Sequence, residues 1–379
     1  MTTEFEPATE NAALKEVIRT AIKEAGGAIS FCDFMALALY HPAHGYYMSS
    51  REKMGRSGDY LTSPEVSPLF AAIVGRQLRE MWQNLGCPSR FDVIEAGPGT
   101  GLLARDIISW ARRTESGFAA ALWYTLVESS SALAERQRAF ITGEGLAAEI
   151  ASELPADIRG CILSNELLDA MPVHRVAVVN SALREIYVQA DGDHFLEILH
   201  DPHPSVEAYF AALDVIPGEG CRAEVNLEAP RWMAHAAGAI ERGYVLTFDY
   251  GHEASVLYAP WRRDGTLLCF YRHNPSTDPY ARVGRQDMTA HVDFTTVRRA
   301  GEDAGLTTVG LTTQSQFLEA LGITEALALP TADRPDMEEY FARRSAVTEL
   351  LDPGGLGRIK VLAQSRDVAG PLNGLAAGA

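Results

Sequence analysis

The chain is predicted to be an α/β protein with a Rossmann-like core, on three observations. From Phe91 an apolar strand, a Gly-rich turn, an amphipathic helix and a second strand follow one another as FDVIEA, GPGTG, LLARDIISWARR and LWYTLVE, the order of a βαβ unit. Further strand patterns recur downstream in GCILSNE and GYVLTFDYG. A length of 379 residues exceeds one compact domain, so the core must carry added segments.

The elements follow in order. Ala12 to Ala25 has helical spacing and stops at Gly26-Gly27, and Ser30 caps a second helix through FCDFMALALY before His41-Pro42. The stretch through Tyr60 is rich in Gly, Pro and Ser, with paired tyrosines, Tyr46 and Tyr47, that either pack or bind something. Pro68 to Leu85 is helical again. These residues form an N-terminal helical segment, 1–88. The core is expected over 89–365, with insertions near 173–222 and 252–290, and 366–379 as a flexible tail. VAVVN and LREIYVQADGDHFLEIL supply added strands in the first insertion, with a tight turn at Asp191-Gly192. The second insertion, YAPWRRDGTLLCFYRHNPSTDPYARVG, is too long for a simple connection and reads as a functional loop.

Charge narrows the partners. With 33 Lys+Arg against 50 Asp+Glu the formal charge is -17, which repels a nucleic-acid backbone and steers in a basic peptide or protein as readily as it serves solubility. The five cysteines form no C-x-x-C pair, and the histidines, among them His41, His44, His174, His252, His273 and His291, show no i, i+4 metal spacing, so no metal is expected. No G-x-S-x-G elbow is present, which removes the simplest hydrolase reading. No apolar run of about 18 residues and no secretory or transit pattern occurs, so a cytoplasmic protein without membrane insertion is expected.

Gly97, Gly99 and Gly101 follow a strand and open a helix, where the backbone can turn sharply and a ligand can approach the helix N-terminus. Leu102 stands where a dinucleotide fingerprint needs its third glycine, while Glu95 opens EAGPGTG, the E/D-x-G-x-G-x-G pattern of S-adenosylmethionine enzymes. Glu128 ends the next strand, where such sheets present a carboxylate to ribose hydroxyls, or else caps the helix starting near Ser130. Glu95 lies in an apolar strand, so its burial requires hydrogen bonds or a cation, and a sulfonium ligand is one such cation.

SNELLDAMP sets Asn165, Glu166 and Asp169 just after a strand, at the edge where open α/β sheets bind substrates. Paired carboxylates suit a guanidinium, which they orient by bidentate hydrogen bonds, and they can take the proton that leaves on methylation. The competing reading makes Glu166 and Asp169 caps of a following helix. Asp249 and Tyr250 either line the same mouth or end their strand.

Together these segments resemble the MidA family of S-adenosylmethionine-dependent methyltransferases, relatives of the mitochondrial arginine methyltransferase that assists assembly of respiratory complex I. The likeness is carried by HPAHGYY, GDYLTSPEVSPLF, EAGPGTG, SNELLDAMPVHR, FDYGH, DMTAHVDF and QSQFLEALGI, across most of residues 28 to 323. It implies a methyltransferase core whose N-terminal segment folds over the cofactor, with Gly58, Asp59, Thr62 and Ser63 contributing to that lid. It also implies a protein arginine acceptor, with a complex I subunit as one candidate, in a bacterial relative. Three alternatives stay open: an assembly chaperone with a vestigial pocket, a small-molecule methyltransferase, and a nicotinamide-dependent oxidoreductase.

Overall fold

The computed structural model describes residues 11–49, 55, 58, 59, 61–328 and 336–375. The chain divides into two compact units: Met1–Tyr60, Ala170–Glu228 and Ala254–His291 form the first, and Leu61–Asp169, Ala229–Glu253 and Val292–Ala379 the second. Both insertions expected around the core fall largely in the first unit. Residues 61–88, expected with the N-terminal segment, belong to the second.

The second unit is built on a seven-stranded sheet of β1 (Phe91–Ala96), β2 (Leu122–Val127), β3 (Ala148–Ala151), β4 (Ile158–Asn165), β5 (Ile240–Asp249), β6 (Thr307–Thr313) and β7 (Lys360–Arg366), in the order β6-β7-β5-β4-β1-β2-β3. Strands β1 to β5 run parallel, and β7 runs against both β5 and β6. Every residue of β1 is buried, as a central parallel strand covered on both faces requires. The chain winds outward from β1 to β3 and then returns to the other side of β1 with β4. The winding therefore reverses between β1 and β4, and the crevice beyond their carboxyl ends is where such sheets take ligands.

On one face lie helices α1 (Pro68–Asn84) and α2 (Leu102–Thr114). Ser67 starts α1: its Oγ accepts from the Leu69 N–H at 3.2 Å, and Pro68 occupies the first helical position, where no N–H is needed. Phe70, Val74 and Leu78, one turn apart, point inward with Met81 against Val93, Leu163, Leu246 and Phe248 of the sheet. Each such side chain contributes about 1.5–3 kcal/mol by leaving water. The final segment, expected as a flexible tail, is held through Leu375: Leu372 is fully buried in this core, and the Gly374 N–H donates to Gln77 Oε1 at 3.1 Å. Gly370, Pro371 and Gly374 interrupt its apolar residues Val368, Leu372 and Leu375, so the segment gave no element signal; residues 376–379 lie outside the described part.

In the first unit, helices Ala12–Glu24 and Phe31–Tyr40 form where the spacing predicts them, and Ser30 Oγ accepts from the Asp33 N–H at 3.0 Å. An antiparallel sheet joins Ile29–Ser30, His174–Val179, Ala182–Asp191, His194–His200 and Arg222–Val225. Its tight turn pairs Asp191 with His194, with Gly192 at φ 55°. The stretch expected as one long loop is folded instead, into a short helix (Ala254–Leu257) and a three-stranded sheet of Leu268–Tyr271, Asn274–Ser276 and Asp287–Thr289. Its apolar residues Leu267, Cys269, Val283 and Met288 are spaced irregularly, yet all are buried with Leu14, Ile18 and Phe34. Tyr46 and Tyr47 act as braces, donating to Asp59 Oδ2 at 2.8 Å and to Asp287 Oδ1 at 2.7 Å.

This unit also carries an ionic network centred on a buried arginine. Arg175, 5% exposed, donates to Glu197 Oε1 at 2.6 Å, lies 3.6 Å from Glu224 and covers the Phe31 ring. Arg222 holds the other oxygen of Glu197 at 2.7 Å. Burial pushes the Glu197 carboxyl up, but Arg175 and Arg222 outweigh it and bring it below its ordinary value.

Candidate active site

The loop after β1 has a backbone that only glycine adopts freely: Gly97, Gly99 and Gly101 lie at φ 66°, 53° and 83°. Gly101 is the N-cap of α2, and its N–H donates to the Pro98 carbonyl at 2.8 Å to close the turn. A Cβ on Gly97 would stand 2.8 Å from Leu167 Cδ1. The glycine loop therefore lies directly against the SNELLD segment, across the reversal point of the sheet.

Glu95 is 3% exposed, and Tyr124 of β2 donates its hydroxyl to Glu95 Oε2 at 2.7 Å. Burial pushes the carboxyl up to about 8, a rise the tyrosine only partly offsets. The hydrogen bond foreseen for this buried acid thus comes from Tyr124, which alternation along LWYTLVE places on the same face of the sheet. At the end of β2, Glu128 Oε1 accepts from the Ser130 N–H at 2.8 Å, while Ser130 itself caps helix α3 (Ser131–Gly143) through its own Oγ. Glu128 Oε2 accepts from Gln137 Nε2 at 3.2 Å, and the same Nε2 donates to the Gly99 carbonyl at 2.9 Å. Sequence reading passed over Gln137, which stands among charged residues in SALAERQRAFITG and looks solvated there.

Beyond β4 the helix-cap reading of Glu166 and Asp169 is corrected. No helix begins there, and the next element is the strand His174–Val179. The turn is instead held by Asp249 at the end of β5, whose Oδ2 accepts from the N–H groups of Leu167 at 3.2 Å and Leu168 at 2.7 Å, and whose Oδ1 accepts from Tyr250. Asp249 is therefore the brace of the loop. Glu166 carries positive φ, 51°, rare for a non-glycine residue, and its N–H donates to the Phe248 carbonyl at 2.9 Å. Its Oε1 accepts from Asn165 Nδ2 at 3.1 Å and from the Ser63 N–H at 3.5 Å. Burial, with the neighbouring Asp169 carboxylate, pushes Glu166 up to about 8. Burial, then the charges of Glu166 and Asp169, push the Tyr250 phenol up, and Arg358 lies over its ring.

Thr62 and Ser63 open a short helix, Ser63–Val66, and Ser63 Oγ donates to the buried Gln314 Oε1 at 2.9 Å. The second unit thus brings together Ser63, Asn165, Glu166 and the glycine loop. Gly58 and Asp59 lie in the first unit, where the fully buried Asp59 also accepts from the Arg272 N–H at 2.8 Å. Among the described residues no group of three or more His, Cys, Asp or Glu could hold a metal ion, and no helix is long and apolar enough to cross a membrane.

A parallel sheet with a glycine loop at its reversal point, a carboxylate after the next strand and a second acidic loop opposite is the framework of a nucleoside-binding α/β enzyme. Comparison with known proteins narrows this class. A family model for S-adenosyl-L-methionine-dependent methyltransferases matches residues 73–312. A mitochondrial protein named as an arginine methyltransferase NDUFAF7 homolog, from Drosophila melanogaster, is 30% identical over 89% of this chain and 81% of its own length. The human protein arginine methyltransferase NDUFAF7 is 27% identical over 87% and 78%. A COG1565 superfamily member from Burkholderia thailandensis, crystallised with S-adenosyl-homocysteine, superimposes with a TM-score of 0.90 at 32% identity, covering 100% of this chain and 98% of that one. The chain belongs to the S-adenosylmethionine-dependent methyltransferase family, with that cofactor and a Rossmann-like core. The nicotinamide reading is set aside with it.

Proposed function

We propose that this methyltransferase modifies an arginine side chain of a protein. The observation that carries the reading is Glu166: a half-buried carboxyl beside the Asp169 carboxyl, pushed up to about 8, at the carboxyl end of β4 and next to the glycine loop. A guanidinium is the cation such a pair suits, because it is planar, always charged and bound by two parallel hydrogen bonds. Its arrival favours the ionised form of Glu166, so the site charges when the acceptor enters.

The residues present fit the cofactor. Three glycines with positive φ leave the loop open to close approach, and Gln137 Oε1 is buried without a hydrogen-bond partner among the described residues. Gly97, Gly99 and Gly101 would cradle it, Glu128 would accept from its ribose hydroxyls, and Glu95 would lie near its charged end. Gly58, Asp59, Thr62 and Ser63 are proposed to contribute further contacts, of which Ser63 has the best support through its N–H to Glu166. When bound, S-adenosylmethionine supplies an electrophilic methyl group. Asn165, Glu166 and Asp169 orient the acceptor nitrogen, and Glu166 takes its proton. Holding that nitrogen at attack distance is the main need of an in-line transfer and can supply several kcal/mol, of the roughly 7–11 kcal/mol available to full orientation.

The names of the fly and human relatives support a protein acceptor, and a formal charge of -17 suits a basic one. A respiratory complex I subunit, met in a bacterial cytoplasm, is the first candidate. The test is to incubate the protein with methyl-labelled S-adenosylmethionine and a cell extract, hydrolyse the labelled protein fraction and separate the methylated amino acids. Label in methylarginine is expected; label confined to small molecules or to another residue type would overturn the reading.

A further inference from the structure

Gln137 lies in the second turn of α3 and is 1% exposed, although a glutamine on a helix otherwise carrying Glu135, Arg136 and Arg138 has every opportunity to reach water. Its amide is turned inward. One nitrogen, Nε2, donates both to the Gly99 carbonyl at 2.9 Å and to Glu128 Oε2 at 3.2 Å. The amide orientation follows from this chemistry: both partners are acceptors only, so the reverse orientation would set an oxygen against two oxygens. Gly99 sits at the middle of the glycine loop, Glu128 at the end of the neighbouring strand, and 38 residues separate Gly99 from Gln137. One side chain therefore spans the two segments that must keep a fixed separation if a single nucleoside is to lie across them. The third contact of the amide, Oε1, is buried and has no hydrogen-bond partner among the described residues. A buried acceptor left open beside a ligand-binding loop is a position for a ligand donor.

We propose that Gln137 is a positioning residue for the cofactor, tying the glycine loop to the ribose carboxylate Glu128 so that both present to the nucleoside as one rigid edge. Its amide also removes an ambiguity from Glu128. With Ser130 N–H on Oε1 and Gln137 Nε2 on Oε2, both carboxylate oxygens are held by fixed donors, so the carboxylate plane is set before the ligand arrives. The inference rests on the assignment of Glu128 to the ribose.

The test uses the full chain and S-adenosylhomocysteine in titration calorimetry, with the unfolding midpoint of each variant recorded. Gln137→Met keeps the length and loses both donors; its affinity should fall about 10- to 100-fold, the size expected for a hydrogen bond to a charged group. Gln137→Glu gives a signature that a packing role would not. Ionised, the new carboxylate repels Glu128 and the Gly99 carbonyl; protonated, its single O–H can donate to one of them. Affinity should therefore be weak at pH 8 and recover towards wild type at pH 5.5. Folded variants that bind as wild type would overturn the inference, as would a Gln137→Glu protein equally weakened at both pH values. If wild type binds and Glu128→Gln does not weaken it, the ribose assignment falls and takes the inference with it. Normal binding by Gln137→Met beside a weakened Glu128→Gln would remove the inference alone.

Discussion

In the unit that contains Arg175, carboxylates meet cations: half-buried Glu197 lies between Arg175 and Arg222, buried Glu224 lies 3.6 Å from Arg175, and buried Glu185 holds His174 at 2.7 Å. In the sheet unit, Glu95 and Asp249 are buried and Glu166 half-buried, yet their partners are a phenol, backbone N–H groups and an amide, and no ion pair is formed by them among the described residues. The electrostatic outcome differs accordingly. Glu197 is held below its ordinary value, whereas Glu95, Glu166 and Asp249 are each pushed up to about 8. Paired charge is structure already completed. Carboxyls held without a cation cost stability at neutral pH and have their reward in a ligand that brings the charge, and the sulfonium of the cofactor and the guanidinium of the proposed acceptor are both cations.

Four measurements can break or sharpen this contrast. Arg175→Leu removes the cation from buried Glu224 and half-buried Glu197 and should destabilise the protein by about 3–5 kcal/mol in chemical denaturation. A loss below about 1 kcal/mol would mean that the network is not structural. Glu166→Gln should lower methyl transfer to the arginine acceptor about 100-fold or more, leaving S-adenosylhomocysteine affinity within about twofold. Undiminished transfer would remove Glu166 from its role. Gly97→Ala meets both φ +66° and the Leu167 methyl at 2.8 Å, and should weaken S-adenosylhomocysteine binding through a strain of about 1–3 kcal/mol. Wild-type affinity there would show a loop more yielding than its geometry implies.

The fourth, and smallest, effect is a pH dependence. Glu95, Glu166 and Asp249 rise from ordinary values of 4.5, 4.5 and 3.8 to about 8, so between these limits the folded chain keeps protons that the unfolded chain releases. Stability from this source is greatest below about pH 4 and declines as pH rises through 8. His174 slopes the same way over a different range. Burial alone would lower it, but Cys32 and Glu185 raise it from 6.5 to about 10, so its contribution is complete below 6.5 and lost through 10. A sulfonium near Glu95 favours the ionised carboxyl, which the neutral sulfur of S-adenosylhomocysteine does not. The affinity ratio of S-adenosylmethionine to S-adenosylhomocysteine should therefore rise between pH 6 and 8.5, by up to about tenfold. A flat ratio in calorimetry would separate Glu95 from the cofactor's charge.

Much of the sheet unit was legible in the sequence because its signals are local. Strand alternation, the glycines after Ala96 and the acids after Ser164 each lie within a dozen residues of the feature they create. What escaped depends on distance along the chain. Tyr124 meets Glu95 across 29 residues, Gln137 meets Gly99 across 38 and Asp249 braces Leu168 across 81. In each case the residue type is unremarkable for its own element and gains meaning only from what the sheet sets beside it. The 252–290 stretch failed for a different reason: its strands are three or four residues long, too short to show a period although Cys269 and Met288 within them are buried.

Strand β7 has a consequence for how the molecule is made. It is the last strand of its sheet in the chain, yet it lies between β5 and β6, pairing with both. Until Lys360–Arg366 has been synthesised, β5 and β6 each keep an open edge of unpaired N–H and C=O groups, with Phe248 and Leu246 facing an incomplete core. A chain broken off before residue 360 is therefore a sticky half-sheet, a client for chaperones and proteases, and no fragment ending there should be recovered as a soluble methyltransferase of reduced activity.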